Sequence, residues 1–283
     1  MIIVLRNFIA HIIAFLALIH SCTAVVLDWN QTDWSAGSTS QIITNVGGSG
    51  YNVQITLSIS SGNWVTLDDT ARYDGNDGLY NGDESLQLTV DFLNNIYTNS
   101  YVMVEMRFLN EYNSITPVNN LSFDIFDIDR GADVKYKGNS YYTYEDVIWG
   151  FTSYDENWNS STQNHTVTTG SNVYTDANAS SNNRPLYRGT LADGSYDDQN
   201  ASAHDSSSSS MNVSWNDPVN YVKFYYSSGS NALWDQDKQH KISPSLQSIG
   251  IGNISFGDSL QPVPEASTVI SAGLLGIAAL VLG

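Results

Sequence analysis

Basic residues are scarce. The 283-residue chain has 11 Lys+Arg against 29 Asp+Glu, a formal net charge of −18 at pH 7. A phosphate backbone is bound by displacing its counterions with Lys and Arg, so this balance excludes nucleic-acid binding. It equally excludes docking on an anionic lipid surface. Cysteine is nearly absent: Cys22 stands alone, which excludes a disulfide framework and a Cys-rich zinc site. The 3.6-residue apolar period of amphipathic helices is almost missing between residue 25 and about residue 257. What the chain does have is 41% hydrophobic and 12% aromatic residues, led by 17 Tyr. That is enough apolar material for a sizeable core, so a wholly disordered chain is excluded.

The two ends read as addresses. Residues 1–24 carry a single charge, Arg6, then an apolar run from Phe8 to Ile19, then Cys22-Thr23-Ala24 with small residues before a cut after Ala24. These are the three parts of a secretory signal peptide, and the run is too short for a span of about 20 residues. Ile19-His20-Ser21-Cys22 partly matches a lipoprotein box, with His20 a poor fit; simple cleavage leaves a mature chain with no thiol. At the other end Pro262-Val-Pro-Glu-Ala-Ser-Thr268 precedes an all-apolar stretch from Val269 to Gly283. As a helix that stretch would be about 22 Å long at ~1.5 Å per residue, short of a ~30 Å hydrocarbon core.

This tail resembles the PEP-CTERM sorting signal of Gram-negative bacteria, with Val263, Pro264, Glu265 and Ser267 at matching positions. Ala266 stands where the motif's second proline usually sits, and the usual Arg-rich end is absent. The resemblance implies an exosortase-like processing enzyme as partner and a host that makes an exopolysaccharide or biofilm matrix. It also implies export by the secretory translocon and membrane association through the 265–283 helix until processing. A eukaryotic GPI signal is the rival reading, supported by eight Asn-x-Ser/Thr triplets that a chain this rich in Asn, Ser and Thr makes by chance. The Val-Pro-Glu tail decides for the bacterial one.

Residues 25–257 read as β-structure. Val53, Ile55, Leu57 and Ile59 alternate with polar residues, as do Leu86, Leu88, Val90 and Phe92. Similar runs cover 101–108, 121–128, 146–151, 221–226 and 248–256. Period-two faces rich in β-branched and aromatic residues predict an all-β fold, an antiparallel sandwich of jelly-roll or immunoglobulin-like type. Residues 155 to about 215 are polar and turn-rich. They read as long excursions with short strands near Val167 and Met211–Trp215, or as partly disordered chain. Residues 258–264 are a linker. Tyr73–Phe92, Val118–Asp129, Gln239-His240 and Ile249–Phe256 together resemble secreted bacterial β-sandwich modules that have no assigned activity.

Candidate chemistry is sparse. Asp74, Asn76, Asp77, Asp83 and Glu84 lie in a glycine-rich turn that offers oxygens to Ca²⁺, although its spacing is not that of an EF-hand. The plainer reading is a solvated turn. By period two, Asp127 and Asp129 share a strand face with Ile125, while Phe126 and Ile128 take the other. A Ca²⁺ site shared with Glu145 and Asp146 is one reading, an Asp row on the exposed face the other. Trp29, Trp34, Trp158, Trp215 and Trp234 fall in or near polar segments, where they either stack on sugars or pack into a core. His165, His204 and His240 lie in polar loops, without a nucleophile elbow or a zinc-binding pair, and read as surface residues. The expected function is a non-catalytic protein of the cell surface or outer envelope, associated with exopolysaccharide. A Ca²⁺-dependent carbohydrate-binding module is the alternative, and a polysaccharide hydrolase the third.

Overall fold

The computed structural model describes residues 24–61, 65–73, 85–92, 98–131, 133–136, 139–142, 144–155, 157–162, 164–177, 185–190, 207–229 and 247–257. The strands are β1 Ala24–Leu27, β2 Ser40–Ile43, β3 Asn52–Ile59, β4 Val65–Tyr73, β5 Ser85–Phe92 and β6 Tyr101–Leu109. They continue with β7 Asn119–Phe126, β8 Asp133–Tyr136, β9 Asn139–Tyr142, β10 Asp146–Tyr154, β11 Ser160–Ser161 and β12 Thr166–Thr169. The last are β13 Val173–Asp176, β14 Leu186–Gly189, β15 Met211–Trp215, β16 Tyr221–Ser228 and β17 Gln247–Gly257.

Two sheets form an antiparallel sandwich. The first runs β12-β15-β7-β17-β5-β4, with β1 beside β17. The second runs β13-β14-β10-β16-β6-β3-β2, with β11 beside β10. β8 and β9 make a separate hairpin. The cause is visible in the alternation. Leu86, Leu88, Val90 and Phe92 on β5, and Val102, Val104, Met106 and Phe108 on β6, are fully buried, while the residues between them face outward. Aromatic pairs lock the layers together: Phe123 of β7 stacks on Phe224 of β16 at 5.9 Å, and Phe92 of β5 meets Tyr226 of β16 edge-on at 5.2 Å. Phe108 and Tyr51 meet Phe256 of β17 at 5.3 and 5.5 Å.

Two local expectations change and one is extended. Ile59, assigned to the core by alternation, ends β3 at the sheet margin and is 51% exposed. The polar 155–215 stretch carries the short strands expected near Val167 and at Met211–Trp215 and adds β11, β13 and β14, so that it contributes to both sheets. β12 and β15 extend the first, with Met211, Val213 and Trp215 buried, and β13 and β14 extend the second. β10 carries a bulge. The register against β16 shifts between Trp149 and Thr152, and Gly150 sits at φ 72, which glycine adopts without strain. The bulge lets Ile148 and Phe151 both face the core.

The ends of the body are joined. Trp29 is fully buried, donates its indole N–H to the Gly252 carbonyl at 3.0 Å, and its backbone N–H bonds Asn253 Oδ1 at 2.9 Å. Val25–Gly257 is one compact unit.

Candidate functional site

Where β7 runs out, the chain gathers acidic residues. Asp127 takes a left-handed backbone at φ 63, so the strand's two-residue period stops at Phe126. This corrects the expectation of an Asp row on an exposed strand face: Asp127 and Asp129 are 6% and 3% exposed. Phe126 and Ile128 are buried as well, so turning the chain has put both parities inside. Ile128 N–H bonds the Ser209 carbonyl at 2.8 Å, tying the turn to the start of β15.

Asp129 then pairs with the start of β10. The Asp146 N–H donates to the Asp129 carbonyl at 2.8 Å, and the Asp129 N–H donates to Asp146 Oδ2 at 3.3 Å. Asp146 Oδ1 accepts the Tyr226 hydroxyl at 2.7 Å, and Asp129 Oδ2 accepts that of Tyr144 at 3.4 Å. Burial drives the Asp146 carboxyl well above the usual carboxylate range, and repulsion from Asp129 and Asp127 pushes it the same way. Burial and the adjacent Asp146 likewise raise the Tyr226 hydroxyl. Asp146 therefore holds its proton to higher pH than an ordinary carboxyl does.

One residue away the charge is balanced differently. Glu145, 3% exposed, accepts from Arg188 at 3.3 Å on both carboxylate oxygens. Arg188 Nε lies 3.8 Å from Asp176 Oδ2, and Arg130 Nε donates to the Thr190 carbonyl at 2.8 Å. These groups, with Tyr174 and Gly189, line an open cleft of about 330 Å³. Two glycines permit this closeness. A Cβ at Gly189 would collide with the Asp129 backbone, and one at Gly229 with the Glu145 carboxylate. The arrangement is a self-paired ionic network over a buried carboxyl cluster, suited to fixing the junction of β7, β10 and β14. Its guanidinium groups are already engaged by protein oxygens.

The structure thus brings together Asp127, Asp129, Glu145 and Asp146, the residues singled out for a shared site. Among the described residues, no group of three or more His, Cys, Asp or Glu side chains is arranged to hold a metal ion. Asp74, Asn76, Asp77, Asp83 and Glu84 lie outside the described residues, as do Val263, Pro264, Glu265, Ala266 and Ser267 and the 265–283 helix. Ala24, the expected cleavage position, opens β1. Arg188 and Asp176 carry no sequence signal, because only the pairing of β14 with β10 sets Arg188 beside Glu145, and that of β13 with β14 sets Asp176 near Arg188.

Trp29, Trp34 and Trp215 are core residues, whereas Trp158 is 53% exposed; Trp234 lies outside the described residues. His165 is half-buried rather than fully at the surface. It packs at 5.4 Å from the Phe151 ring and 5.9 Å from Trp215, and burial lowers its proton affinity. His204 and His240 lie outside the described residues.

No protein-family model matches the chain, and no curated protein matches it in sequence. Among solved structures it is similar to the adhesin domain of PrgB from Enterococcus faecalis, at 10% identity and a TM-score of 0.33, over 86% of this chain and 69% of that one. It is also similar to the N-terminal domain of the Streptococcus gordonii adhesin Sgo0707, at 11% identity and a TM-score of 0.32, over 84% of this chain and 60% of that one. At such TM-scores the likeness bears on neither the fold nor the function of this chain.

Proposed function

We propose that this chain is a non-catalytic, exported β-sandwich protein of a bacterial envelope, delivered to the cell surface or its exopolysaccharide matrix. It crosses the inner membrane by the secretory translocon and is cut after Ala24. Its apolar tail holds it there briefly, until an exosortase-like enzyme cleaves near Val263–Ser267. The observation that carries this reading is the order of segments along the chain: a secretion leader, an all-strand body, then a Pro-Glu motif with an apolar tail. The carboxyl cluster supports a structural rather than a catalytic role, because the Asp129 carboxyl accepts from Tyr144 and the Asp146 carboxyl from Tyr226 and the Asp129 N–H. A net charge of −18 keeps such a body soluble and lets divalent cations bridge it to acidic matrix polymers.

The test is to express the full chain in a Gram-negative host that has an exosortase and follow it by intact mass and fractionation. The expected mature product begins at Val25, ends near residue 264 and is found at the surface or in the medium. Glu265→Ala should leave tail-bearing protein in the inner membrane. A cytosolic product of full mass would overturn the proposal.

A further inference from the structure

The outer face of the second sheet carries an aromatic strip that neither the core nor the acidic junction uses. On β16, Val222, Phe224 and Tyr226 point inward, so Tyr221, Lys223 and Tyr225 take the other face. On β10, simple alternation would put Trp149 and Tyr154 on opposite faces. The bulge at Gly150 puts both on the outer one, opposite Tyr225 and Tyr221 respectively. Two groups of rings result. Trp149 stacks on Tyr225 at 4.4 Å, with Tyr101 of β6 edge-on at 5.0 Å from Tyr225. Four residues along β16, or ~13 Å at ~3.3 Å per residue, Tyr154 lies 6.3 Å from Trp158 and is backed at 4.9 Å by Tyr221, which is itself only 6% exposed.

Polar groups fill the interval. Lys223 Nζ sits 5.8 Å from the Tyr154 ring centre, and the Arg107 guanidinium 5.5 Å from that of Tyr221, whose hydroxyl donates to Glu105. Cross-strand aromatic pairs stabilise sheets by themselves, but that does not account for Trp158. It lies in the turn after β10 with φ 61, a left-handed backbone costly for a bulky residue, and it is 53% exposed. The turn is pinned: Asp155 Oδ1 accepts the backbone N–H of Asn157 and of Asn159, each at 2.8 Å, and Trp158 N–H bonds the Asp155 carbonyl at 3.0 Å. A pinned turn thus holds an indole in water, in line with the sheet's rings.

We propose that this face binds an extended polysaccharide, with Trp149–Tyr225 and Tyr154–Trp158 stacking on separate sugars, Lys223 and Glu105 bonding hydroxyls between them and Arg107 bonding hydroxyls beside the second pair. Pyranose rings have apolar C–H faces and hydroxyl edges, and this strip alternates rings with charged and polar groups in the same way. A protein partner would call for a more continuous apolar core to its contact. The local charge also fits: two cations face one carboxylate in a molecule of net charge −18, which admits neutral or uronic polymers. The proposal deepens the envelope-matrix reading and rests on it for the source of the polymer.

The test is affinity electrophoresis of the full chain in mild detergent, through gels containing a neutral β-glucan, a mannan or alginate, followed by titration calorimetry on soluble fragments. Retardation by at least one polymer is expected, and the gel that retards distinguishes neutral from uronic ligands. Trp158→Ala and Tyr225→Ala should each weaken binding roughly tenfold, about 1.4 kcal/mol. Tyr225→Phe, which keeps the ring, should bind as the parent does. Tyr112→Ala, an exposed aromatic off the strip, should change nothing. Thermal midpoints separate lost binding from lost folding. Passage through all three gels unretarded, or retardation indifferent to Trp158 and Tyr225, would overturn the proposal and leave a protein partner as the occupant to seek. Lost binding with normal export removes this proposal alone; a cytosolic, unprocessed chain that is still retarded removes only the envelope reading.

Discussion

Asp146 shows how burial turns a charge into a pH response. Its raised proton affinity means that the unfolded chain gives up this proton first as pH rises. The contribution to stability is full below the ordinary value near 3.8 and is lost as pH climbs toward the raised folded value. Asp146→Asn keeps the shape and cannot ionise. It should be more stable than the parent near neutral pH, with the gap closing toward pH 4, as read from urea midpoints across a pH series. Asp146→Ala strands the Tyr226 hydroxyl and should cost about 1–3 kcal/mol at either pH. His165 works in the opposite sense. Its proton affinity is lowered by burial, so the unfolded state takes up the proton first as pH falls. Its share of stability is present above its ordinary value near 6.5 and is lost as pH drops through the lowered folded value. His165→Leu should flatten that limb of the same profile. The residue types were legible in the sequence and their environments were not. His165 stands among Asn, Ser and Thr in the chain, and only the packing of Phe151 and Trp215 brings it into an apolar setting.

Strands were the most readable level. The alternation of β3, β5, β6, β7, β16 and β17 announces one buried face each, because the side-chain period of a strand is two and the core admits only apolar groups. Two kinds of element escaped. β13 and β14 are four residues each and show no extended alternation; the pairing of β14 with β10, and of β13 with β14, is what makes them strands. The β10 bulge broke the period from within, since one added residue reverses the faces of everything after it. The acidic junction depends on the same short elements. Gly189 of β14 lies against the Asp129 backbone too closely for a methyl group, so Gly189→Ala should destabilise by about 2–4 kcal/mol and perturb the Arg188–Glu145 pair. Urea denaturation with a single-tryptophan reporter, Trp215, would read the loss, and a change below about 0.5 kcal/mol would mean that the strand slides freely.

At the scale of the whole molecule, two properties follow from composition. The sole thiol, Cys22, precedes the sandwich, so the thermal midpoint of the sandwich should be the same with and without reductant. A net charge of −18 strains the compact state through self-repulsion that salt screens. The midpoint should therefore rise as NaCl goes from about 20 to about 200 mM, where the Debye length shortens from roughly 20 Å to below 10 Å. A flat response would mean that the acidic groups are neutralised locally, as Glu145 is by Arg188.

By itself the sequence determined the class of the protein: an acidic, thiol-poor chain whose apolar residues alternate can bury them only between sheets. It also carries the expectation of two addressing segments, because such signals are local in composition and need no partner in space. Tertiary structure alone decided which strands are neighbours, that Asp127 and Asp129 are buried instead of displayed, and that Trp149 and Tyr154 look out from the same face. Those outcomes depend on register, on one bulge and on contacts between residues far apart in the chain, and a one-dimensional period carries no information about where another strand will lie.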